Sequence, residues 1–353
     1  MTTQQRADIL ATICADYTAF LGEFSADDLI DWVTLELQHD EALDAFVPYG
    51  DIRSKAVPLS PVVHVVSGNT PHAALQSILR GLLLGAENIV KLPSSGLPEV
   101  EEFAGKLPAE LQPLLTLSPR LDQATLSKAK AVVAIGSDEA IAAIHSRLSA
   151  HQRFIPHGHK LSIGLIEQPS TDAATKAARD IGLFNQQGCL SLHTVYVKES
   201  PQEFARMLAT AMQRFEEDNP RGPISVSESG AISNLRETYR YHAAVEPENY
   251  LLLESKQGTA WTIIFENNAH LVPSPLNRTV YVRPWPVDLS ELGSETQYLS
   301  TIALEPLDEL LEEVEPLSPP RICSLGEGQQ PPLIWHHDGF PPLSSLVSWR
   351  DIH

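Results

Sequence analysis

The stretch PVVHVVSGNTP, residues 61–71, opens the pattern that decides the fold. Its β-branched run over 62–66 is typical of a strand that is buried on both faces. A nearly all-apolar helical pattern over 73–86 follows the break, and a second strand-like run covers 88–92. Strand, helix and strand in this order form a βαβ unit, which implies a parallel sheet with a right-handed crossover.

The same alternation continues beyond this unit. A strand over 131–135 leads into the turn Gly136-Ser137-Asp138, which is predicted to cap a helix over 139–149. A further strand is predicted over 161–166, and Ser170 or Thr171 is expected to cap the helix after it. The sequence therefore predicts an α/β protein whose ligands bind at the carboxyl edge of a parallel sheet.

The second half of the chain carries weaker signals of the same kind. Ser200-Pro201-Gln202-Glu203 has the form of a capping box with proline at the first helical position, so a helix to about Asp218 is predicted. Strands are predicted over 260–266 and 279–283, and an acidic helix over 304–314. We expect the charge of that last helix to form a solvated face.

Composition excludes several classes of protein. The 353 residues carry a formal net charge of −20, which argues against a nucleic-acid partner because phosphate binding needs a basic surface. No segment is apolar enough to predict a membrane span, and the amino terminus lacks the apolar core of a secretory signal. The three cysteines form no CxxC pair, which predicts a reducing, cytoplasmic setting without disulfides and without a metal site.

Cys189 is the candidate nucleophile. It ends the polar, glycine-containing loop FNQQGC, residues 184–189, directly before a β-branched run over 193–197. Such a loop presents a thiol to a substrate more readily than it buries one, although an incidental thiol is the alternative. A nucleophilic thiol needs a base or an electropositive site.

The sequence offers three histidines as candidates for proton transfer, and none stands at a diagnostic spacing from the cysteine. Each could instead be a surface or packing residue. The three are His157, His159 and His337.

Two polar residues follow the first two predicted strands. Asn69 could donate a hydrogen bond to a developing oxyanion, or it could simply form the turn. Lys91 could anchor a ribose or phosphate, or it could extend to solvent. Neither a G-x-G-x-x-G fingerprint nor a P-loop is present, but the helix that begins after Gly136-Ser137 could hold a phosphate at its amino terminus.

These stretches, in this order, resemble the aldehyde dehydrogenase superfamily. The resemblance implies that Asn69 is the oxyanion donor, that Lys91 contacts the adenosine ribose, that Gly136-Ser137 lies near the cofactor, and that Cys189 is the nucleophile. A closer resemblance is to the LuxC-type acyl-CoA reductases, which are fatty-acid reductases. Three stretches carry it: 185–191, 274–282 and 335–339, the last reading WHHDG.

The resemblance implies an aldehyde dehydrogenase-like fold, with a Rossmann-type cofactor domain and an α/β catalytic domain. We expect a helical lead-in over 1–56, the nicotinamide-cofactor domain over 57–165, the catalytic domain with the nucleophile over 166–300, and a C-terminal segment over 301–353 that packs back on both.

Two departures from the superfamily refine the expected reaction. No carboxylate stands near 156–160, where the superfamily places the glutamate that activates water, which suits an enzyme that protects a thioester until hydride arrives. The carboxylate that often follows the cofactor lysine is also missing, and Ser94 occupies that neighbourhood. NADPH is therefore expected as the cofactor, with NADH as the alternative.

The expected function is the reduction of a long-chain acyl-CoA to the fatty aldehyde through a thioester on Cys189. One alternative is a cysteine acyltransferase or thioesterase that forms the same acyl-enzyme without hydride transfer. The other is a non-catalytic relative that binds acyl-CoA or nucleotide. The partner is expected to be acyl-CoA or an acyl donor protein, and the sequence allows a homo-oligomer.

Overall fold

The computed structural model describes residues 1–68 and 71–353. Its chain forms two compact units, one made of residues 1–159 and 332–353 and the other of residues 160–331. The second unit is thus inserted in sequence between two parts of the first. These units divide the chain at positions other than the expected 165 and 300.

The first unit contains helices and strands from both ends of the chain. Its helices are α1 Thr3–Cys14, α2 Thr18–Leu21, α3 Ala26–Leu37, α4 Pro71–Leu84, α5 Pro98–Lys106, α6 Gln123–Lys128 and α7 Asp138–His145. Its first strands are β1 Val47–Tyr49, β2 Ile52–Pro58, β3 Val62–Val65, β4 Asn88–Lys91, β5 Leu115–Ser118, β6 Ala131–Ile135 and β7 Arg153–His157.

A parallel sheet with the order β5-β4-β3-β6-β7 forms the centre of this unit, as the βαβ pattern predicts. The chain runs outward from β3 in one direction and then crosses to its other side, so the strand order reverses beside β3. In open α/β sheets this reversal makes a crevice at the carboxyl edge, where ligands bind.

The buried histidine of β3 has a structural role. The two ring nitrogens of His64 lie 2.7 Å from Ser77 Oγ and 2.9 Å from Asn88 Oδ1. Burial lowers the pKa of His64 to about 4, so the ring is neutral at physiological pH. Its hydrogen bonds join α4, β3 and β4 beneath the carboxyl edge.

Helices occupy only part of the predicted helical region over 1–56. After α3 ends at Leu37, β1 and β2 form an antiparallel hairpin. Along β2 the buried residues Ser54 and Ala56 alternate with more exposed ones, which is the two-residue period of a strand. A strand from the end of the chain, Val347–Ile352, pairs with the other edge of β2.

The second unit is built on a seven-stranded sheet. Its strands are β8 Leu161–Ile166, β9 Leu192–Val197, β10 Tyr250–Glu254, β11 Thr262–Glu266, β12 Thr279–Pro284, β13 Leu299–Glu305 and β14 Arg321–Ser324, and the terminal Val347–Ile352 of the first unit is β15. The order is β10-β11-β12-β9-β8-β13-β14, parallel except for β10. Its helices are α8 Thr171–Gly182, α9 Pro201–Asp218, α10 Val226–Val245 and α11 Leu307–Val314.

One predicted helix start is wrong in its mechanism. Helix α9 does span Pro201–Asp218, but Ser200 has a left-handed backbone, with φ of 48°, and its side chain makes no capping hydrogen bond. A capping serine needs an extended backbone for its oxygen to reach the helix amides. The sharp turn between β9 and α9 sets a different conformation, so no capping box forms.

Among the described residues, no helix combines the length and the apolar character needed to cross a bilayer.

Candidate functional site

Cys189 lies in the turn 188–191 that leads into β9, and its side chain is partly exposed. The other two cysteines are buried: burial raises the pKa of Cys14 to about 12 and that of Cys323 to about 11. Because the thiolate is the reactive form, those two thiols are poor nucleophiles. Cys189 is the candidate that the structure leaves accessible.

The backbone immediately before this turn is strained. Phe184, Asn185 and Gln186 all have left-handed φ values, of 52°, 53° and 64°. Residues other than glycine rarely adopt this region, at a cost of roughly 1–3 kcal/mol each, and they persist there only where the surroundings hold them. Such strain is found most often at functional sites.

Gln186 is the residue that holds the strained segment. It is fully buried, and its side-chain amide donates to the carbonyls of Leu192 at 2.7 Å and Thr279 at 2.8 Å. Its side-chain oxygen accepts from the Thr279 amide at 2.8 Å. One glutamine thus satisfies three backbone groups at the amino ends of β9 and β12.

A second left-handed segment lies beside the first. Leu276, Asn277 and Arg278 have φ values of 63°, 56° and 64°. Gln187 Nε2 donates to Asn277 Oδ1 at 3.1 Å, so the two segments are joined next to the turn that contains Cys189. Arg278 is buried and pairs with Glu216 on α9.

The turn itself is closed by short hydrogen bonds. The amide of Ser191 donates to the Gly188 carbonyl at 3.0 Å. Ser162 Oγ, at the start of β8, donates to the Cys189 carbonyl at 2.9 Å. A nucleophile on a fixed turn loses little conformational entropy when substrate binds.

In the first unit, Lys91 ends β4 at the carboxyl edge of the parallel sheet and is partly exposed. It pairs in register with Val65 of β3. A Cβ atom added to Gly68, just beyond β3, would lie 3.1 Å from Ser95 Oγ, so the turns after β3 and β4 approach closely. Ser94 is exposed in the second of these turns. Lys91 and Ser94 therefore border the crevice that the strand order predicts.

Ser137 caps α7 as predicted, and its Oγ accepts from the Ala140 amide at 3.3 Å. Gly136 donates to the carbonyl of His157 at 3.2 Å, which places this turn beside the end of β7. Asp138 and Glu139 occupy the first turn of the helix. Two carboxylates at this amino terminus oppose a phosphate there, so the position suits an uncharged group of a ligand better.

The predicted histidines separate into a pair and an outlier. The rings of His157 and His337 stack with centroids 3.9 Å apart and planes at 12°, and Trp335 stacks on the other side of His337 at 4.8 Å. Both histidines are buried, and burial holds the pKa of His337 well below its usual range. His159 is exposed, and its backbone amide donates to Asp138 at 2.8 Å.

Asp338 orients this pair. Its Oδ2 lies 2.6 Å from Nδ1 of His157, and its side chain is only 5% exposed. A carboxylate only accepts hydrogen bonds, so Nδ1 of His157 carries the proton that it shares with Asp338, and Nε2 is the other ring nitrogen. A histidine oriented by a carboxylate in this way is an arrangement found in general acid and base catalysts.

A small cavity of about 20 Å³ adjoins the pair, which is room for about one water molecule. Arg80 of α4 also lines it, and among the described residues Arg80 Nε has no hydrogen-bond partner. Burial lowers the pKa of Arg80 to about 10, so the guanidinium stays charged at neutral pH. Its positive charge further favours the neutral form of the nearby His337.

The cluster also contains potential metal ligands, because one ligand atom each from His157, His337 and Asp338 lie within 4.8 Å of one another. The lone pair of an imidazole nitrogen lies in the ring plane, and two nearly parallel stacked planes cannot both contain one ion. The observed stacking therefore suits a hydrogen-bonded relay better than joint coordination of a metal.

The predicted residues thus fall into two groups. Cys189 belongs to the second unit, and the cofactor and histidine candidates belong to the first; Asn69 lies outside the described residues. Sequence reasoning missed Gln186, Asn277 and Asp338, although each lies in a stretch that carried the family resemblance. The available signal was that each of these residues lies in a stretch that resembles the family.

Comparison with known sequences gives a consistent result. A profile of the family described as acyl-CoA reductase (LuxC) matches residues 3–349. The chain is 28% identical to a long-chain acyl-protein thioester reductase of Aliivibrio fischeri, across 97% of this chain and 74% of that protein. It is 27% identical to long-chain acyl-protein thioester reductase 2 of Photobacterium leiognathi, across 92% of this chain and 70% of that one.

Solved structures show the same fold. Lactaldehyde dehydrogenase from Escherichia coli superimposes with a TM-score of 0.69 at 15% identity, covering 100% of this chain and 87% of that one. The glyceraldehyde-3-phosphate dehydrogenase GapN from Methanocaldococcus jannaschii, solved with NADP, superimposes with a TM-score of 0.70 at 12% identity, covering 100% and 90%. The predicted aldehyde dehydrogenase-like fold is confirmed.

Proposed function

The chain belongs to the acyl-CoA reductase (LuxC) family, and from this membership we propose that it reduces a long-chain acyl thioester to the fatty aldehyde through an acyl-enzyme on Cys189. The observation that carries the proposal is the accessible thiol of Cys189 on a strained turn fixed by buried hydrogen bonds. The two buried cysteines of the chain offer no comparable nucleophile.

The first step transfers the acyl group. The Cys189 thiolate attacks the carbonyl carbon of the thioester, and the donor sulfur leaves as a thiolate that takes up a proton. Asn69 and the backbone amide of Cys189 are the proposed donors to the intermediate oxyanion. The product is an acyl-enzyme thioester that a water-activating carboxylate would hydrolyse, and residues 156–160 include no such carboxylate.

The second step reduces the acyl-enzyme. A reduced nicotinamide cofactor, when bound, supplies a hydride to the carbonyl carbon. The resulting oxyanion of the thiohemiacetal on Cys189 collapses and expels the sulfur as a thiolate, which releases the aldehyde and takes up a proton to restore the thiol. Lys91, Ser94 and the Gly136-Ser137 turn are the proposed contacts to the cofactor at the carboxyl edge of the sheet.

Among the three candidate histidines, the geometry favours His157 for proton transfer. Asp338 holds its Nδ1, and Nε2 is therefore the atom that accepts or returns a proton. His337 stacks on this ring and keeps it in place.

We propose NADPH as the cofactor, because Ser94 stands where a carboxylate would repel the 2′-phosphate. The donor is proposed to be acyl-CoA or an acylated protein, since the similar proteins are named acyl-protein thioester reductases. Both donors present the same thioester to Cys189.

The proposal is tested by intact mass and by cofactor oxidation. Incubation with myristoyl-CoA without cofactor should add one acyl group to the wild type and none to Cys189→Ala, and added NADPH should discharge it as tetradecanal. NADPH should be oxidised faster than NADH.

Three outcomes would contradict parts of this reaction. A wild-type protein that stays unacylated by CoA and by an acylated carrier protein excludes the covalent mechanism. An adduct released as fatty acid without cofactor oxidation identifies a thioesterase. Equal oxidation of NADH and NADPH removes the role given to Ser94.

A further inference from the structure

A buried aspartate near the end of α8 is the starting point. Asp180 is fully buried, and its carboxylate accepts from the amides of Gly326 at 2.7 Å and Gly328 at 3.0 Å. The helix dipole destabilises a carboxylate in the last turn of a helix, so other contacts must account for an aspartate at this position. Through its contacts, Asp180 fastens the loop 325–330, which follows β14, to the end of α8.

The fastening depends on the absence of side chains in the loop. Gly326 has φ of 92°, and a Cβ atom there would lie 3.1 Å from Lys176. A Cβ atom on Gly328 would lie 3.1 Å from the Asp180 carboxylate. Burial outweighs the two amide hydrogen bonds and raises the pKa of Asp180 to about 6, so the group is ionised at neutral pH.

The fastened loop places the side chain of Gln329 against the turn that contains Cys189. Gln329 is 3% exposed, and its Nε2 donates both to the Asp180 carbonyl at 3.0 Å and to Ser191 Oγ at 2.7 Å. Ser191 is fully buried, and its own amide closes the turn onto the Gly188 carbonyl at 3.0 Å. Cys189 lies inside that turn.

We propose that Gln329 is a positioning residue for Cys189, acting through Ser191 and held in place by the Asp180 carboxylate and its two glycine amides. The inference rests on the proposed function, in which Cys189 is the nucleophile. Gln329 touches neither substrate nor cofactor in this role. It fixes the turn through Ser191, whereas Gln186 holds the strained segment before the turn.

The physical expectation follows from the cost of misplacing a nucleophile. A displacement of about 1 Å in a reacting group lowers rates by roughly 10²-fold. Losing the hydrogen bond between Gln329 and Ser191 should therefore slow reactions of the Cys189 thiol without removing its binding surface. Because both residues act through one hydrogen bond, removing the second should add little to removing the first.

The test compares Gln329→Leu, Ser191→Ala and the double variant in the full-length protein. The matched control is Gln330→Leu, because Gln330 lies in the same loop with an exposed side chain. Within the described residues, that side chain hydrogen-bonds only to Arg179. The first readout is the rate at which iodoacetamide alkylates Cys189, followed by peptide mass across pH 6–9. The buried Cys14 and Cys323 report unfolding in the same sample.

Each single variant should lower the alkylation rate at pH 7 at least about fivefold and shift its pH midpoint, because thiol reactivity follows local thiolate stabilisation. The double variant should match the slower single variant, and Gln330→Leu should stay within about twofold of wild type. Acylation by myristoyl-CoA should fall in the same order, with KM nearly unchanged.

Additive losses in the double variant, or wild-type alkylation in Ser191→Ala, would overturn the inference. Ser191→Ala removes one oxygen atom, so it keeps the test decisive if Gln329→Leu does not fold. If the wild type is never acylated, only the proposed function is refuted, because the alkylation rates still decide whether Gln329 positions the thiol.

Discussion

A single carboxylate sets the chemistry of the histidine pair in the first unit. Asp338 fixes the proton on Nδ1 of His157, while the stack of His337 and Trp335 limits rotation of the ring. Asp338 itself adopts a left-handed backbone, with φ of 53°, just before Gly339. The WHHDG stretch is therefore folded so that its aspartate turns toward a histidine from another part of the chain.

Replacing Asp338 by asparagine should lower the rate of aldehyde formation by about 10²-fold, because an amide no longer enforces the tautomer that leaves Nε2 as the acceptor. The measurement is NADPH oxidation at saturating myristoyl-CoA, recorded as a function of pH. His159→Ala is the control, since His159 is exposed and should be replaceable with little loss. Equal activity of Asp338→Asn and wild type would remove His157 from the proposed mechanism.

At the scale of elements, the amino ends of β9 and β12 are joined by a side chain where backbone pairing would be expected. Gln186 supplies those hydrogen bonds and so holds the left-handed segment in front of Cys189. The strained segment and Gln186 therefore belong together, because the hydrogen bonds of Gln186 keep the segment in its left-handed conformation.

Changing Gln186 to leucine should lower the free energy of unfolding by at least about 3 kcal/mol, since three buried backbone groups lose their partners at roughly 1–3 kcal/mol each. The loss can be measured by urea denaturation. Gln187→Leu is the comparison, because that partly exposed side chain bonds to another side chain at 3.1 Å and should cost less. A loss below about 1 kcal/mol in Gln186→Leu would show that the backbone groups find new partners.

Elements set by local sequence could be predicted, and contacts between distant segments could not. The strands over 131–135 and 161–166 match because an uninterrupted apolar run decides a buried strand. The bond between Gln186 and Thr279 spans 93 residues, and that between His157 and Asp338 spans 181. No local pattern records such pairs, so Cys189 could be proposed as the nucleophile from the sequence, while the residues that fix its turn could not be identified.

At the scale of the whole molecule, the first unit depends on residues from the end of the chain. Its core includes Leu343, Leu346 and Val347, and β15 covers an edge of β2. Glu36 accepts from the amides of Leu343 and Ser344 at 2.7 and 2.8 Å. The second unit has separate cores formed within 160–331.

Deleting residues 332–353 should destabilise the first unit by more than about 5 kcal/mol, from the loss of three buried aliphatic side chains alone. That loss is comparable to the full stability of a typical domain. Part of the native signal should then be missing before urea is added, and the remaining transition should belong to the second unit, with Cys189 still alkylated at a near-normal rate. Deleting only residues 351–353 is the control, and a single unchanged transition in the larger deletion would contradict the division into units.

The interrupted first unit has a consequence during translation. Residues 160–331 are contiguous, so the unit with the thiol can fold once they have left the ribosome, without waiting for residues 332–353 to emerge. The first unit must wait for residues 332–353 before β2 gains its second neighbour and His157 gains Asp338. During that interval the second unit would carry its accessible Cys189 while the first unit still lacked the contact between His157 and Asp338, and oxidation of the thiol would compete with completion of the first unit.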